Sequence, residues 1–338
     1  MIKNSDLSIV VPAYNRVHEL SELLDSVLAL SVYPGRVIIS EDFSPEREAI
    51  ITLCLAYKDR FKQLGIDFIL YENPLNLGYD KNLRQCIEKS ESKWVCILGN
   101  DDLLLPNAIT HIVDFVNTHD VDLVSRAFVR FNRRIDEPLG VSKIARHDCL
   151  FNRHTTSSKM IFRSAGFVGG LVVNVDFAKR HSTEKYDGFL FYQIYLAALA
   201  FCDKGVGYIA TPIVGGRADN PPLFGAAADE HEVHVPGGYT AKGRAKMWSG
   251  VMNIVRDVGS QCGIDLLPDI VNELDGRQSF HVFEMNARSS RSDLKQLRQA
   301  LINIGLFQSL IPKCFYWVNL LLGRRAIYFY KLARRMMQ

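Results

Sequence analysis

Cysteine is the first thing this sequence uses sparingly. The chain has seven, at positions 54, 86, 96, 149, 202, 262 and 314, odd in number and never spaced Cys-x-x-Cys. That excludes a disulfide framework and a structural zinc site and suits a reducing cytosol. Long apolar runs are missing too. No stretch reaches the roughly 18 residues of a bilayer span, and Met1-Ile2-Lys3-Asn4-Ser5-Asp6 has no signal-peptide core. Gly166-Phe167-Val168-Gly169-Gly170 does not form Gly-x-Gly-x-x-Gly, so a dinucleotide fingerprint is not read there. Basic residues do not interleave with aromatics over the main body, which removes nucleic acid as a partner.

What is present is ordinary in bulk and uneven in place. The 338 residues suffice for one large α/β domain with an appendage, or for two domains. An apolar share of 48% and a charged share of 23% are those of a globular chain. The net charge of +3 divides sharply: from Lys313 onward there are six basic residues and no acidic one, so the remainder is net acidic.

Short β-branched runs alternate with helical spacing over the first 130 residues. Strands are predicted at Leu7–Pro12, Arg36–Ser40, Asp67–Tyr71, Trp94–Leu98 and Val121–Arg130. Helices are predicted over Leu20–Leu28, from Ser44-Pro45-Glu46, from about Asp80 and from Pro106. This alternation implies right-handed crossovers and a mostly parallel sheet. Beyond, residues 130–159 are irregular, Phe189–Phe201 is a buried helix and Val206–Val214 a strand. A Gly/Pro-rich stretch, Gly215 to Gly238, reads as a functional loop. Helices resume at Ala241–Cys262, Pro268–Arg288 and Ser292–Ile304.

Chemistry concentrates where Trp94–Leu98 stops at Gly99-Asn100-Asp101-Asp102. Adjacent carboxylates repel, so they are stable in full solvent or around a cation. We read a divalent metal, Mn²⁺ or Mg²⁺, holding the diphosphate of an activated donor. Pro12-Ala13-Tyr14-Asn15 and Glu41-Asp42 end two other strands on the same edge. In open α/β sheets, ligands bind at that edge.

Taken in order, these motifs resemble family 2 glycosyltransferases of the GT-A fold. Val10-Val11-Pro12-Ala13-Tyr14-Asn15-Arg16 is similar to the family's opening motif, and Ser40-Glu41-Asp42-Phe43-Ser44 to its second-strand motif. Asn76-Leu77-Gly78-Tyr79-Asp80-Lys81-Asn82 resembles the segment that brings a basic residue toward the nucleotide. Leu98-Gly99-Asn100-Asp101-Asp102 resembles the Asp-x-Asp region. The resemblance covers residues 5–130 well and weakens to residue 215. It implies a GT-A Rossmann-like sheet flanked by helices, with a C-terminal helical extension. Residues 1–215 would form the nucleotide-sugar-binding and catalytic domain, residues 216–240 an active-site loop, and residues 241–338 a helical region.

The resemblance also implies roles. Asp102 would hold the metal, and Asp101 the ribose or metal-bound water. Asp42 would accept from the nucleobase or ribose. Pro12, Ala13, Tyr14 and Asn15 would line the base pocket, while Lys81 and Arg84 would face the phosphates. Arg217, with Asp219 and Asn220, sits where a lid would lie. An inverting transfer needs a base for the acceptor hydroxyl. Of Asp176, Glu184 and Asp187, we choose Asp187, with Glu184 second. The Gly166–Gly170 glycines are read as allowing close backbone approach beneath an acceptor pocket. Gly99 is a departure, since the family often has Asp there. Some members that transfer deoxysugars onto O-antigen intermediates look like this, with Gly-x-Asp-Asp. His231 and His234 lack zincin spacing and are read as solvated.

The tail is the remaining feature. Phe315, Tyr316, Trp317, Tyr328, Phe329 and Tyr330 accompany Arg324, Arg325, Lys331, Arg334 and Arg335. Such a segment, residues 313–338, suits a helix lying on an anionic membrane. The alternative is a helix docked on the domain. Together these readings predict an enzyme using a nucleotide-sugar donor and a glycan or lipid-linked acceptor. It would be cytoplasmic and peripheral to the inner face of the membrane, with homo-oligomerisation left open. The rivals are a sugar nucleotidyltransferase, for which Pro12–Asn15 is the wrong phosphate loop, and a lapsed glycan- or nucleotide-binding module.

Overall fold

The computed structural model describes residues 1–228, 230, 231 and 233–336, the last three by backbone alone. The loop assignment at Asp229 and Glu232, and the tail assignment at Met337, Gln338 and the side chains of residues 334–336, lie outside what is described. The chain divides into two compact units, residues 1–220 with 227–229, and residues 221–226 with 230–338.

In the first unit β1 (Leu7–Ala13), β2 (Arg36–Glu41), β3 (Asp67–Glu72) and β4 (Trp94–Ile97) form a parallel run in the order β3-β2-β1-β4. Between them lie α1 (Val17–Leu28), α2 (Arg47–Gln63) and α3 (Tyr79–Glu88). The apolar residues of α1 recur at helical spacing, and Leu20, Leu23, Leu24 and Val27 are all fully buried with β1 and β2 in one core. Each such side chain contributes about 1.5–3 kcal/mol of burial. The expected helix start at Ser44-Pro45 is corrected: α2 begins at Arg47, and the Ser44 hydroxyl is buried without a partner. Residues 44–47 form a separate turn, in which the Ser44 carbonyl accepts from the Arg47 amide at 3.1 Å, and Glu41 holds the bend before it by accepting from the Phe43 and Ser44 amides at 3.0 and 2.7 Å.

Beyond β4 the sheet mixes directions. It continues through β9 (Leu171–Asn174), β6 (Leu123–Phe131), β10 (Val206–Arg217) and the two-residue β5 (Leu103–Leu104). β9 is antiparallel to both β4 and β6, whereas β6 and β10 are parallel. α4 (Ala108–Thr118) follows Pro106, and β7 (Pro138–Ser142) and β8 (Cys149–Phe151) are short additions. α5 (Lys159–Ala165) and α6 (Val175–Arg180) flank β9, and α7 (Tyr192–Cys202) is buried along its whole length, as its all-round apolarity predicts. β10 runs three residues past the expected strand end. Gly215 and Gly216 are packing glycines, because a Cβ on them would meet Ile135 at 2.6 Å and Phe167 at 2.8 Å.

The second unit holds α8 (Ala241–Cys262), α9 (Leu267–Asp275), α10 (Arg277–Met285), α11 (Arg291–Asn303), α12 (Leu310–Leu322) and α13 (Ala326–Met336). The α8 ends match the sequence reading because both caps are local: Thr240 accepts from the Gly243 amide, and Gly263 takes the left-handed conformation. The single helix expected over Pro268–Arg288 is broken at Gly276. Asp275, at the break, accepts from the amides of Phe307, Gln308 and Ser309, so the α9–α10 corner is fixed by the start of α12.

Candidate active site

The C-terminal ends of β1, β2 and β4 meet in the first unit, and each carries one of the sequence-predicted motifs. The β1 end turns through Asn15 and Arg16, both left-handed at φ 55° and 64°. Such a conformation costs a non-glycine residue roughly 1–2 kcal/mol. Asn100 offsets it by donating to the Tyr14 and Asn15 carbonyls at 3.2 and 2.9 Å. The Asn15 side chain accepts from the Glu46 amide at 3.2 Å, and the Ala13 carbonyl from the Asp42 amide at 3.0 Å. Pro12 pairs with Ser40 in the sheet.

Asp42 is buried and well supplied with donors. Its carboxylate accepts from Asn73 Nδ2 at 2.9 Å, the Leu77 amide at 2.9 Å and the Gly78 amide at 3.0 Å. It therefore pins the Asn76-Leu77-Gly78 loop beside the site. Glu41 is fully buried and also faces Arg47 at 3.3 Å.

Asp101 and Asp102 differ from these. Asp101 Oδ2 takes Arg16 Nη1 at 2.6 Å and Asn220 Nδ2 at 2.8 Å. Arg217 Nε donates to the Asp101 carbonyl at 3.2 Å, while its guanidinium also reaches Glu22 and the Asn132 carbonyl. Asp102 is 3% exposed and receives two long backbone bonds, from Gly99 at 3.2 Å and Arg217 at 3.4 Å. Burial, followed by the Asp101 charge, pushes the Asp102 carboxyl up to about 8. Two glycines make room for it. A Cβ on Gly169 would lie 2.0 Å from Asp102 Oδ2, and one on Gly99 would lie 2.9 Å from the same oxygen. Gly99 thus stands where a further side chain would press on the carboxylate pair. Of the Gly166–Gly170 glycines, Gly169 is the one that approaches Asp102, whereas a Cβ on Gly166 would meet the Phe162 carbonyl at 2.8 Å and one on Gly170 Val214 at 2.5 Å.

Arg126, on β6, was not picked out from the sequence. It is buried, donates to the Phe167 carbonyl at 2.9 Å and lies over the Phe167 ring at 4.8 Å, with its Nε unbonded. Burial lowers it to about 10, while the Asp102 carboxylate acts the other way. Tyr79, at the start of α3, is pushed well above its ordinary value by burial and then by Asp80 and Asp102. Asp80 accepts from the Leu190 and Tyr192 amides at 2.8 and 3.0 Å and so ties α3 to the start of α7.

The residues expected at the phosphates and at the base meet each other. Arg84 forms a bidentate pair with Asp187, at 2.7 and 3.1 Å, and donates to the Thr183 carbonyl at 2.6 Å. Glu184 is 3.4 Å from Arg84 and 84% exposed, and Asp176 is exposed on α6. Burial raises the Asp187 carboxyl above its ordinary value, with Arg84 and then Lys81 opposing.

Among the described residues, no group of three or more His, Cys, Asp or Glu side chains gathers as a metal cluster. Asp101 and Asp102 fit a hard divalent cation nonetheless. Such ions are often held by one or two carboxylates and complete their shell with substrate phosphates and water.

Residues 8–173 match the family model described as Glycosyl transferase family 2. An uncharacterized glycosyltransferase of Rickettsia typhi is 29% identical over 114 residues, 34% of this chain and 33% of that protein. The minor teichoic acid biosynthesis protein GgaB of Bacillus subtilis is 24% identical over 126 residues, 36% of this chain and 13% of that protein. The chain spans between 15% and 33% of the length of the Rickettsia relatives it matches. Among solved structures, S. aureus TarS 1–349 in complex with UDP-GlcNAc aligns with a TM-score of 0.62 at 12% identity, over 98% of this chain and 92% of that one. Mannosyltransferase PcManGT from Pyrobaculum calidifontis, in complex with GDP-Man and Mn²⁺, aligns with a TM-score of 0.52 at 14% identity, over 98% of this chain and 86% of that one. At these identities the structural likeness shows a GT-A-type fold alone. Residues 8–173, just under half of the chain, support a family 2 glycosyltransferase.

Proposed function

We propose that this family 2 chain is an inverting, metal-dependent glycosyltransferase. It moves a hexosyl or deoxyhexosyl group from a nucleotide sugar to a glycan or polyprenyl-diphosphate-linked glycan in bacterial surface-polysaccharide assembly. The observation that carries the reading is the meeting of three parallel strand ends around two adjacent carboxylates, one of them buried with few donors. The likeness to GgaB, a minor teichoic acid biosynthesis protein, supports the polymer setting, and that to TarS in complex with UDP-GlcNAc supports the donor class.

The β1 end and Asp42 line the base and ribose, and Lys81 and Arg84 face the diphosphate. Asp101 and Asp102 hold Mn²⁺ or Mg²⁺, which neutralises charge on the departing diphosphate when bound. The acceptor hydroxyl oxygen bonds to the anomeric carbon as the bond to the diphosphate breaks. Its proton passes to Asp187, with Glu184 the alternative. Arg84 links these roles: drawn to the diphosphate, it leaves Asp187 able to take a proton. Residues 1–215 carry this chemistry, Arg217 and Asn220 border it through Asp101, and the tail from residue 313 attaches the chain peripherally to the cytoplasmic face of the membrane.

A second reading, a nucleotide- or glycan-binding module without turnover, is favoured by one observation: both oxygens of Asp187 are held by Arg84. Nucleoside diphosphate release from a panel of nucleotide sugars, with and without Mn²⁺, separates the two. The enzyme reading expects one donor class to be turned over with metal. No turnover of any donor, with nucleotide still bound, leaves the binding module. If in addition Asp102→Ala binds nucleotide like the parent, the metal site is wrong as well.

A further inference from the structure

The C-terminal helices of the second unit pair with each other. Tyr330 on α13 donates to Asn319 Oδ1 at 2.9 Å, and its ring lies 5.9 Å from that of Phe315, both on α12. Asn319 in turn donates to the Phe283 carbonyl of α10 at 2.7 Å. The inner face of α12, Pro312, Tyr316 and Asn319, is buried. This much fits a docked helix.

The opposite face of α12 is apolar as well. Leu310, Cys314, Trp317 and Leu321 recur at i, i+4, i+7 and i+11 and form one stripe. Leu310 is 76% exposed, Trp317 55% and Leu321 74%. On α13, Tyr328 and Leu332 are also exposed. A helix apolar on both faces has one more surface to cover than its own unit provides.

Beside this surface lies an open pocket of about 630 Å³ lined by Arg288, Arg324, Arg325, Ile327 and Tyr328. Arg324 and Arg325 occupy the turn directly after α12, and Arg288 lies between α10 and α11. Among the described residues no acidic one lines the pocket, and none occurs in the sequence from Lys313 onward. Arginines facing one opening beside exposed Leu and Trp complement a surface that is anionic at its headgroups and apolar beneath. Neither a second copy of this basic chain end nor a neutral partner offers that charge.

We propose that Arg288, Arg324 and Arg325 form a phosphate-binding pocket for an anionic phospholipid headgroup, with the Leu310–Trp317–Leu321 stripe seated at the acyl boundary. Guanidinium groups bind phosphate oxygens in a bidentate manner. The proposal rests on the peripheral-membrane reading above and deepens it, because Arg288 comes from outside the tail and gives the site headgroup selectivity.

Flotation of the full chain with phosphatidylglycerol-containing vesicles and with phosphatidylcholine-only vesicles tests it. Each arginine near an anionic surface strengthens binding about fivefold, so Arg288→Gln/Arg324→Gln/Arg325→Gln weakens binding to the anionic vesicles on the order of 100-fold. Arg291→Gln/Lys295→Gln, which removes exposed charge from α11, changes it by no more than about 25-fold even if each charge counts as much as one in the pocket, and by less than the triple variant. Trp317→Ser/Leu321→Ser weakens binding to both vesicle types. The substituted side chains are exposed, so far-ultraviolet circular dichroism of each variant is expected to match the parent. A parent that floats while the triple variant binds within threefold of it overturns the pocket and leaves membrane attachment standing. A parent that floats with neither vesicle overturns both. If that parent also sediments as a dimer that Trp317→Ser/Leu321→Ser dissociates, the stripe belongs to a second copy.

Discussion

Two strands of the parallel run end in adjacent acids, Glu41-Asp42 on β2 and Asp101-Asp102 on β4, and the structure treats them oppositely. At the β2 end Glu41 and Asp42 together accept from four backbone amides, with Asn73 and Arg47 adding to them. These acids organise a turn and a loop. At the β4 end Asp102 is equally buried, yet it has two amides at 3.2 Å or longer and a second carboxylate beside it. An acid pair at a strand end is therefore not in itself the sign of a metal. What distinguishes a pair suited to a cation is how little the fold satisfies it, because a buried charge short of donors is stable only with a counter-ion or a proton.

Exchanging the roles of the two pairs gives the largest effects. Asp102→Asn lowers donor turnover on the order of 1000-fold, as loss of a charge-stabilising group does, while its Tm at pH 8 without metal equals or exceeds the parent's. Asp42→Ala does the reverse first. It leaves the Leu77 and Gly78 amides and Asn73 without their acceptor, costing about 2–4 kcal/mol, which denaturant unfolding measures. Gly169→Ala sharpens the contrast, because its Cβ would lie 2.0 Å from Asp102 Oδ2 and must displace that carboxylate. Turnover falls on the order of 10- to 100-fold through the shifted ligand, with a smaller loss of stability than Asp42→Ala.

A further effect is a pH slope. Asp102 is raised from 3.8 to about 8 in the folded chain, so the unfolded chain releases this proton first. Between these values the folded state binds more protons, and Asp102 makes stability fall as pH rises. A pH series of Tm values shows that slope in the parent, a weaker one in Asp102→Asn, and a greater gain from added Mn²⁺ at pH 8 than at pH 5. Equal slopes in parent and variant would remove Asp102 as its source.

Much of this architecture was legible in the sequence, for local reasons. The strands of the parallel run are β-branched stretches bounded by turn residues, and α8 is bracketed by Thr240 and Gly263. The broken helix has a partner distant in sequence: Pro268–Arg288 looks continuous until the start of α12 docks on Asp275, 32 to 34 residues away. At the site, the motifs marked the strand ends. They could not show that Arg84 is 103 residues from the carboxylate it grips, or that Arg126 and Gly169 close around Asp102. Asn100 carried a signal in retrospect, as a short amide donor beside two turn residues without glycine's freedom. The tail needed the structure most, because a single exposed stripe emerges only when the inner face of α12 is known.

The central claim is that Asp102, with Asp101, holds a divalent cation against the donor's diphosphate. Titration of nucleoside diphosphates into parent and Asp102→Asn, each with and without Mn²⁺, tests it most directly. The account predicts that Mn²⁺ tightens binding to the parent tenfold or more and leaves the variant unchanged. Equal tightening in both proteins would contradict it.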